Sequence, residues 1–285
     1  MSAKFGPGGN SDAFKLAGFS SSLNAPAWIA TQGLDAYEYE AGNGLSATPK
    51  MLRAIGDEAK KHGIKMSYHA PYFISLSGID PEKRLKSVGY IKQSVDAAYS
   101  LGANVIVVHT GSAAKISRDE AMRLAADTLA HTLAEVDTHG VKIGLETMGK
   151  KNQLGTLDEV LELCRIDSAF VPVVDFGHLN ARECGGVFTS ADDYLRVFDK
   201  IDRCLGGDIA KNLHCHFSKI EWTDAGEKRH LTFADEVYGP RFEPLAEAIA
   251  REGLAPTIIC ESAGTQSDDA LALKRAYLDF LGGNR

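Results

Sequence analysis

The chain reads as an α/β protein on three observations: eight short apolar runs, amphipathic helical stretches between them, and residues fit to hold metal at the ends of the last six runs. Strand and helix alternating eight times predict a parallel sheet closed on itself, a single (β/α)8 TIM barrel spanning residues 1–285 as one domain. The competing architecture, an open doubly wound sheet, calls for a glycine-rich phosphate loop behind the first strand. GPGGN at 6–10 has the glycines but lacks the GxGxxG spacing and a clear helix behind it.

KFGP (4–7) and AYEYE (36–40) are the first two strand candidates. TPKMLRAIGDEAKKHG (48–63) then carries apolar residues three and four apart, with Thr48-Pro49 as a start signal and Gly63 as a stop. KMSYH (65–69) leads to DPEKRLKSVGYIKQSVDAAYSLG (80–102), opened by Asp80-Pro81 and closed by Gly102. NVIVVH (104–109) leads to SRDEAMRLAADTLAHTLAEVDTHG (117–140), bounded by Ser117 and Gly140. KIGLE (142–146) precedes TLDEVLELCRI (156–166), and FVPVVD (170–175) precedes SADDYLRVFDKI (190–201), which Ser190 caps. NLHCH (212–216), PRFEPLAEAIAREG (240–253), PTIICE (256–261) and SDDALALKRAYLDFLG (267–282) complete the alternation.

A chain of 285 residues lies near the size at which one core stops growing, yet α/β barrels commonly run this long. Apolar residues at 44% and charged residues at 24% describe a globular chain rather than a disordered one. No apolar run approaches the roughly 20 residues that span a bilayer. The start, MSAKFGPGGN, has no stretch of signal-peptide type, so a cytoplasmic protein without membrane association is expected. Five cysteines without a CxxC pair read as free thiols, with Cys215 and Cys260 turned toward the helix layer by strand alternation. A net charge of −7 argues against a globally basic nucleic-acid binder, but bound divalent cations with a local basic loop would suffice at one site. Nothing points to a protein partner.

In such a barrel the chemistry sits at the C-terminal ends of the strands. Six runs finish on or around His69, His109, Glu146, Asp175, His214 and Glu261. His178, His216 and His230 fall close by, whereas His62, His131 and His139 lie in or at the ends of helical stretches. Asp175 and His178 form a D-x-x-H pair just past a strand, and His214 and His216, two apart, face the same way. Carboxylates converging in one cavity repel each other and resist ionisation unless a cation joins them. Nitrogen and oxygen ligands without cysteine suit Zn2+, Mn2+ or Fe2+.

The motifs HAPYFISLS, VVHTGS, LETMGKKNQLGT, VVDFGHLNA, HCHFSKIE and IICESA, in that order between about Tyr37 and Glu261, resemble those of the endonuclease IV family, zinc-dependent apurinic/apyrimidinic endonucleases on a TIM barrel. The resemblance implies three clustered zinc ions. His69 and His109 would hold one, Glu146 would bridge it to a second completed by Asp175, His214 and Glu261, and His178 and His230 would hold the third. GEKRHL departs from the family by placing Lys228 where an aspartate belongs, and Glu227 takes that role only if the loop is rearranged. The third ion is therefore expected to be weakly held or missing. His216 stands where the family has asparagine, as a new ligand or a hydrogen-bond donor.

The implied reaction is hydrolysis of the phosphodiester 5′ to an abasic deoxyribose in DNA, with Glu146 and Glu261 orienting or deprotonating the water. Tyr72 and Phe73 match positions that enter the damaged duplex, and Lys150, Lys151, Lys219 and Arg229 are candidate phosphate contacts. Two other classes share much of this pattern. A sugar isomerase or epimerase resembling xylose isomerase needs one metal on Glu146, Asp175, His214 and Glu261, leaving the remaining histidines surplus. A metal-containing DNA-binding barrel without turnover would follow if Lys228 displaces the third ion.

Overall fold

The computed structural model describes residues 2–283 and is a (β/α)8 TIM barrel. Its strands are β1 (Lys4–Pro7), β2 (Ala36–Glu40), β3 (Lys65–His69), β4 (Val105–His109), β5 (Lys142–Glu146), β6 (Phe170–Asp175), β7 (His214–Phe217), β8 (Ile220–Thr223), β9 (Gly226–His230) and β10 (Thr257–Cys260). Eight of them form one parallel sheet in the order β1-β10-β7-β6-β5-β4-β3-β2. Backbone bonds bring β1 to β2 and draw the two ends together: Asp35 N donates to Phe5 O at 2.8 Å and Gly9 N to Glu38 O at 3.0 Å. The approach requires Gly6, since a Cβ there would lie 1.8 Å from the Ala36 carbonyl oxygen.

Caps read from sequence hold in three dimensions. Thr48, Asp80 and Ser117 each accept a backbone N–H of the helix they open, Ser190 stands at the N-cap of its helix with Asp193 closing a capping box, and Thr156, not read from sequence, forms another with Glu159. The outer layer is formed by helices Pro49–His62, Pro81–Leu101, Arg118–Glu135, Leu157–Cys164, Ala191–Leu205, Glu243–Glu252 and Gln266–Gly283. The third of these ends five residues short of Gly140, because Val136 has already turned to extended backbone. Sequence alone did not suggest the helices Ala25–Thr31, Phe176–Arg182 and Gly207–Lys211, nor the antiparallel hairpin of β8 and β9.

Ile106, Val107, Val108, Ile143, Leu145, Val173, Val174, Ile258 and Ile259 are buried, each burial worth about 1.5–3 kcal/mol before chain entropy is charged against it. Cys215 and Cys260 are buried among them as small hydrophobes, and all five cysteines are unpaired. None of the helices among the described residues is long and apolar enough to cross a membrane. The β8–β9 hairpin lies outside the barrel sheet and is bonded to the loop after β5, with Lys151 N donating to Ala225 O and Glu227 N to Gly149 O, each at 3.0 Å. That loop-to-hairpin seam forms part of the wall of a cavity of about 810 Å³ at the C-terminal mouth.

Candidate metal centre

Parallel pairing sets the depth of each side chain. His109 pairs with Glu146, Asp175 with His216 and Cys260 with Phe217, so His109, Glu146, Asp175, His216 and Glu261 reach the same mouth. Overlapping groups form there, among them His69, His109 and Glu146; Glu146, Asp175, His216 and Glu261; His178, Glu227 and His230; and His69, His216 and Glu261.

The spacings suit ligands around an ion. Bonds of about 2.0–2.1 Å in a tetrahedron place neighbouring ligand atoms roughly 3.3 Å apart. His109 Nε2 lies 3.2 Å and His69 Nε2 3.7 Å from Glu146 Oε2. His216 Nδ1 lies 3.2 Å from Glu261 Oε1 and 3.0 Å from Glu146 Oε1, and His178 Nε2 lies 3.5 Å from Glu227 Oε2. Buried oxygens without a hydrogen-bond partner point the same way, Glu146 Oε2 and Asp175 Oδ2 among them. Asp175 divides its work: Oδ1 accepts the His178 backbone N–H at 2.7 Å and caps the helix Phe176–Arg182, while Oδ2 stays free for the cluster.

The far ring nitrogens are anchored. His69 Nδ1 and His178 Nδ1 lie 2.9 Å from the Ala70 and Thr147 carbonyl oxygens, which can only accept, so both Nε2 atoms are left as ligands. His230 Nδ1 lies 2.9 Å from Ser218 Oγ.

One expected ligand is corrected. His214 does not reach the cluster, because β7 continues through Phe217 and His214 is its first residue, paired with Val173 and Thr257. Its Nε2 instead bonds Glu38 Oε2 at 2.9 Å inside the barrel. The inward parity read from sequence is right, but the level is one residue pair too deep, and His216 stands beside Asp175 in its place.

Glu227 does reach the third group. Residues three apart on an unbroken strand face opposite ways, but Glu221 pairs with Arg229 and Trp222 with Glu227, leaving Lys228 as a bulge. The bulge turns Glu227 and His230 to one side and sends the Lys228 ammonium out to Glu221 Oε1 at 2.6 Å. Gly149 makes room: a Cβ there would lie 2.6 Å from Glu227 Cβ and 2.9 Å from Glu227 Oε2.

Other expected contacts divide. Tyr72 and Phe73 project from the mouth at 55% and 50% exposure, Tyr72 stacked on His109 and Phe73 edge-on to Tyr90. Lys150 lines the cavity, whereas Lys151 Nζ lies 3.4 Å from Cys184 Sγ. Lys219 is not free to meet a phosphate, since its ammonium donates to the carbonyl oxygens of Phe233 and Asp235, and Arg229 is paired with Glu221 at 2.6 Å. Glu38 and Glu40 went unread in AYEYE, although alternation sets them opposite the tyrosines and thus toward the barrel interior.

Burial pushes Glu146 up, yet His216, His109 and His69 outweigh it and hold the carboxyl well below the usual range. Glu261 sits at about 2, burial being overcome chiefly by His216. Burial lowers His69 and His178, but Glu40 and Glu146 lift the first to about 10 and Asp175 and Glu227 lift the second to about 9. Burial brings Asp175 to about 6 and Glu40 to about 8. Without ions, His69, His178 and His216, the last also raised by the carboxylates around it, therefore carry the positive charge.

A model of the family described as xylose isomerase-like TIM barrel matches residues 26–280. An uncharacterized protein of Methanocaldococcus jannaschii is 29% identical over 227 residues, 79% of this chain and 80% of its own length. A protein named probable endonuclease 4 from Thermoplasma acidophilum is 30% identical over 217 residues, 73% and 74% of the two chains. Among solved structures, a D-tagatose 3-epimerase-like protein superposes with a TM-score of 0.73 at 19% identity over 99% of both chains. Endonuclease IV from Thermus thermophilus superposes with 0.70 at 19% identity over 98% of this chain and 99% of its own. At such identity these likenesses concern the fold.

Two outcomes are expected. Glu227→Gln and, independently, Gly149→Ala lower bound metal by one equivalent and leave the rest; full stoichiometry by elemental analysis in Glu227→Gln removes Glu227 from the site. Because ligands must be deprotonated and His69 and His178 titrate near 10 and 9, affinity should rise with pH up to that range and binding should release protons at neutral pH. Calorimetry in two buffers of different ionisation heat measures this, and equal heats in both would contradict it.

Proposed function

The chain belongs to the endonuclease IV family of xylose isomerase-like TIM barrels, and from that premise we propose that it is a metal-dependent apurinic/apyrimidinic endonuclease, hydrolysing the DNA phosphodiester 5′ to an abasic deoxyribose. The observation that carries this reading is the presence of two ligand groups, His69–His109 and His178–Glu227–His230, beside the Glu146–Asp175–His216–Glu261 quartet. A one-metal sugar isomerase or epimerase, the reading favoured by the epimerase-like fold, uses only the quartet and leaves five converging side chains without work.

Zn2+ fits the nitrogen and oxygen donors best, with Mn2+ or Fe2+ as substitutes. The ions, when bound, supply Lewis acidity toward phosphoryl oxygens and offset charge on the attacking and leaving oxygens. Glu146 is shared between the first two groups, so one buried carboxylate would set their separation. Glu261, at the cavity wall, orients the attacking water. Tyr72, projecting over His69 and His109, fills the gap in the base stack, and Phe73 widens the wedge. Unstacking costs a few kcal/mol and least where a base is already missing, which favours abasic sites.

Purified protein is expected to nick a duplex bearing one abasic site on its 5′ side, to stop with chelator, and to lose in Glu146→Gln more than the roughly 10–100-fold typical of groups behind metal ligands. Turnover of a keto-sugar with no cleavage would sink this reading in favour of the isomerase; binding of the duplex without cleavage would favour the barrel that lacks turnover. Because Lys219 and Arg229 are paired internally, duplex affinity should fall with log salt at a slope no steeper than about −3, read by anisotropy titration from 50 to 200 mM salt. A slope near −6 would mean a phosphate track elsewhere on the surface.

A further inference from the structure

Barrel interiors are usually filled by branched apolar side chains, yet Glu38 is fully buried there, one layer below the metal-ligand cluster. Its two oxygens serve two histidines. Oε2 accepts from His214 Nε2 at 2.9 Å, and Oε1 lies 2.8 Å from His216 Nε2. The second contact is bent from ideal hydrogen-bond geometry, but neither atom has another partner. The His214 contact has ordinary hydrogen-bond geometry, and His216 turns Nε2 to Glu38 while its Nδ1 faces Glu146 and Glu261, so the trio reads as groups paired behind the cluster.

His216 differs from its neighbours in the cluster. His69, His178 and His230 have Nδ1 anchored on an uncharged oxygen and turn Nε2 toward the cavity. In His216 the roles are exchanged: Nδ1 faces Glu146 and Glu261, and Nε2 faces a carboxylate. We propose that Glu38 is the positioning residue of this centre: it fixes the His216 ring so that Nδ1 is presented as a metal ligand, and its negative charge strengthens that nitrogen as a donor. A carboxylate behind a ligating imidazole fixes tautomer and ring orientation and raises ligand basicity. His214 is then the clamp on the other oxygen, which explains why a second histidine occupies the strand two residues earlier without reaching the cluster.

The proposal rests on His216 being a metal ligand, and the experiment separates the two. Metal affinities are read by chelator competition with Zn2+ and Co2+ on the folded protein, alongside the Co2+ absorption spectrum. Glu38→Gln, nearly the same shape without the charge, should weaken one metal equivalent about 10–100-fold and leave the equivalent on His178, Glu227 and His230 unchanged. In a His216→Ala background Glu38→Gln should add nothing, because its effect passes through that ring. Affinity within two-fold of the parent in Glu38→Gln, or an equal further loss in the His216→Ala background, overturns the proposal. If His216→Ala itself leaves every metal affinity unchanged, the metal reading fails and this inference with it. Should Glu38→Gln not fold, His214→Asn, which loosens only the clamp, should weaken the same equivalent by about three- to ten-fold, and no change there counts against the proposal.

Discussion

Buried negative charge is the constraint on which this barrel turns. Glu38, Glu146 and Asp175 are almost fully buried, and Glu40 and Glu261 stand at the same mouth. Removing an ion from water costs several kcal/mol after relaxation, and several carboxylates together add their mutual repulsion. Histidine can carry the balancing charge when metal is absent and surrender the proton when metal arrives. That exchange accounts for the pairing of Glu38, Glu146, Asp175 and Glu261 with imidazoles, and for the depressed Glu146 and Glu261 beside raised His69, His178 and His216.

Strand positions were legible because apolar runs of four to six residues between capped helices leave little freedom in assignment. KIGLE and FVPVVD became strands with the bounds read from them. Depth along a strand is harder, since period-two alternation tells which face a residue takes and not how far up the barrel it sits. NLHCH offered two histidines of equal parity, and only the pairing of β7 with β6 and β10 chooses His216 over His214. The buried glutamates of AYEYE were open to the same parity argument, but a charged residue in a strand reads as solvent-facing until the sheet is known to close.

The hairpin was illegible for a different reason. IEWTDAGEKRH lacks the apolar length of a barrel strand, and its register includes a bulge that no short-range pattern announces. Yet the bulge is what reconciles the departing motif with a three-ligand group. A regular strand would present residues two apart, as the family pattern does, and would bring Lys228 to the cavity. Adding one unpaired residue restores the parity for a spacing of three, so the carboxylate moves back one position along the chain while its placement beside His178 is kept. Gly149 and Gly226 let the loop after β5 approach closely enough to hold the bulged strand in place.

The third ligand group also bears on how an acidic mouth could receive a phosphate. Four carboxyl groups, Glu146, Asp175, Glu227 and Glu261, converge on the cluster as candidate anionic ligands, while burial raises Glu40 to about 8. Two dications would just balance those four charges, leaving little attraction for a phosphodiester. A third would reverse the sign of the mouth, and a metal is the largest local charge such a site can hold. With Lys219 and Arg229 engaged by protein oxygens, Lys150 at the cavity wall makes up only part of the difference. On the proposed reading, occupancy of the His178–Glu227–His230 group would govern substrate capture as well as chemistry, and Lys228 matters less than the bulge that compensates for it.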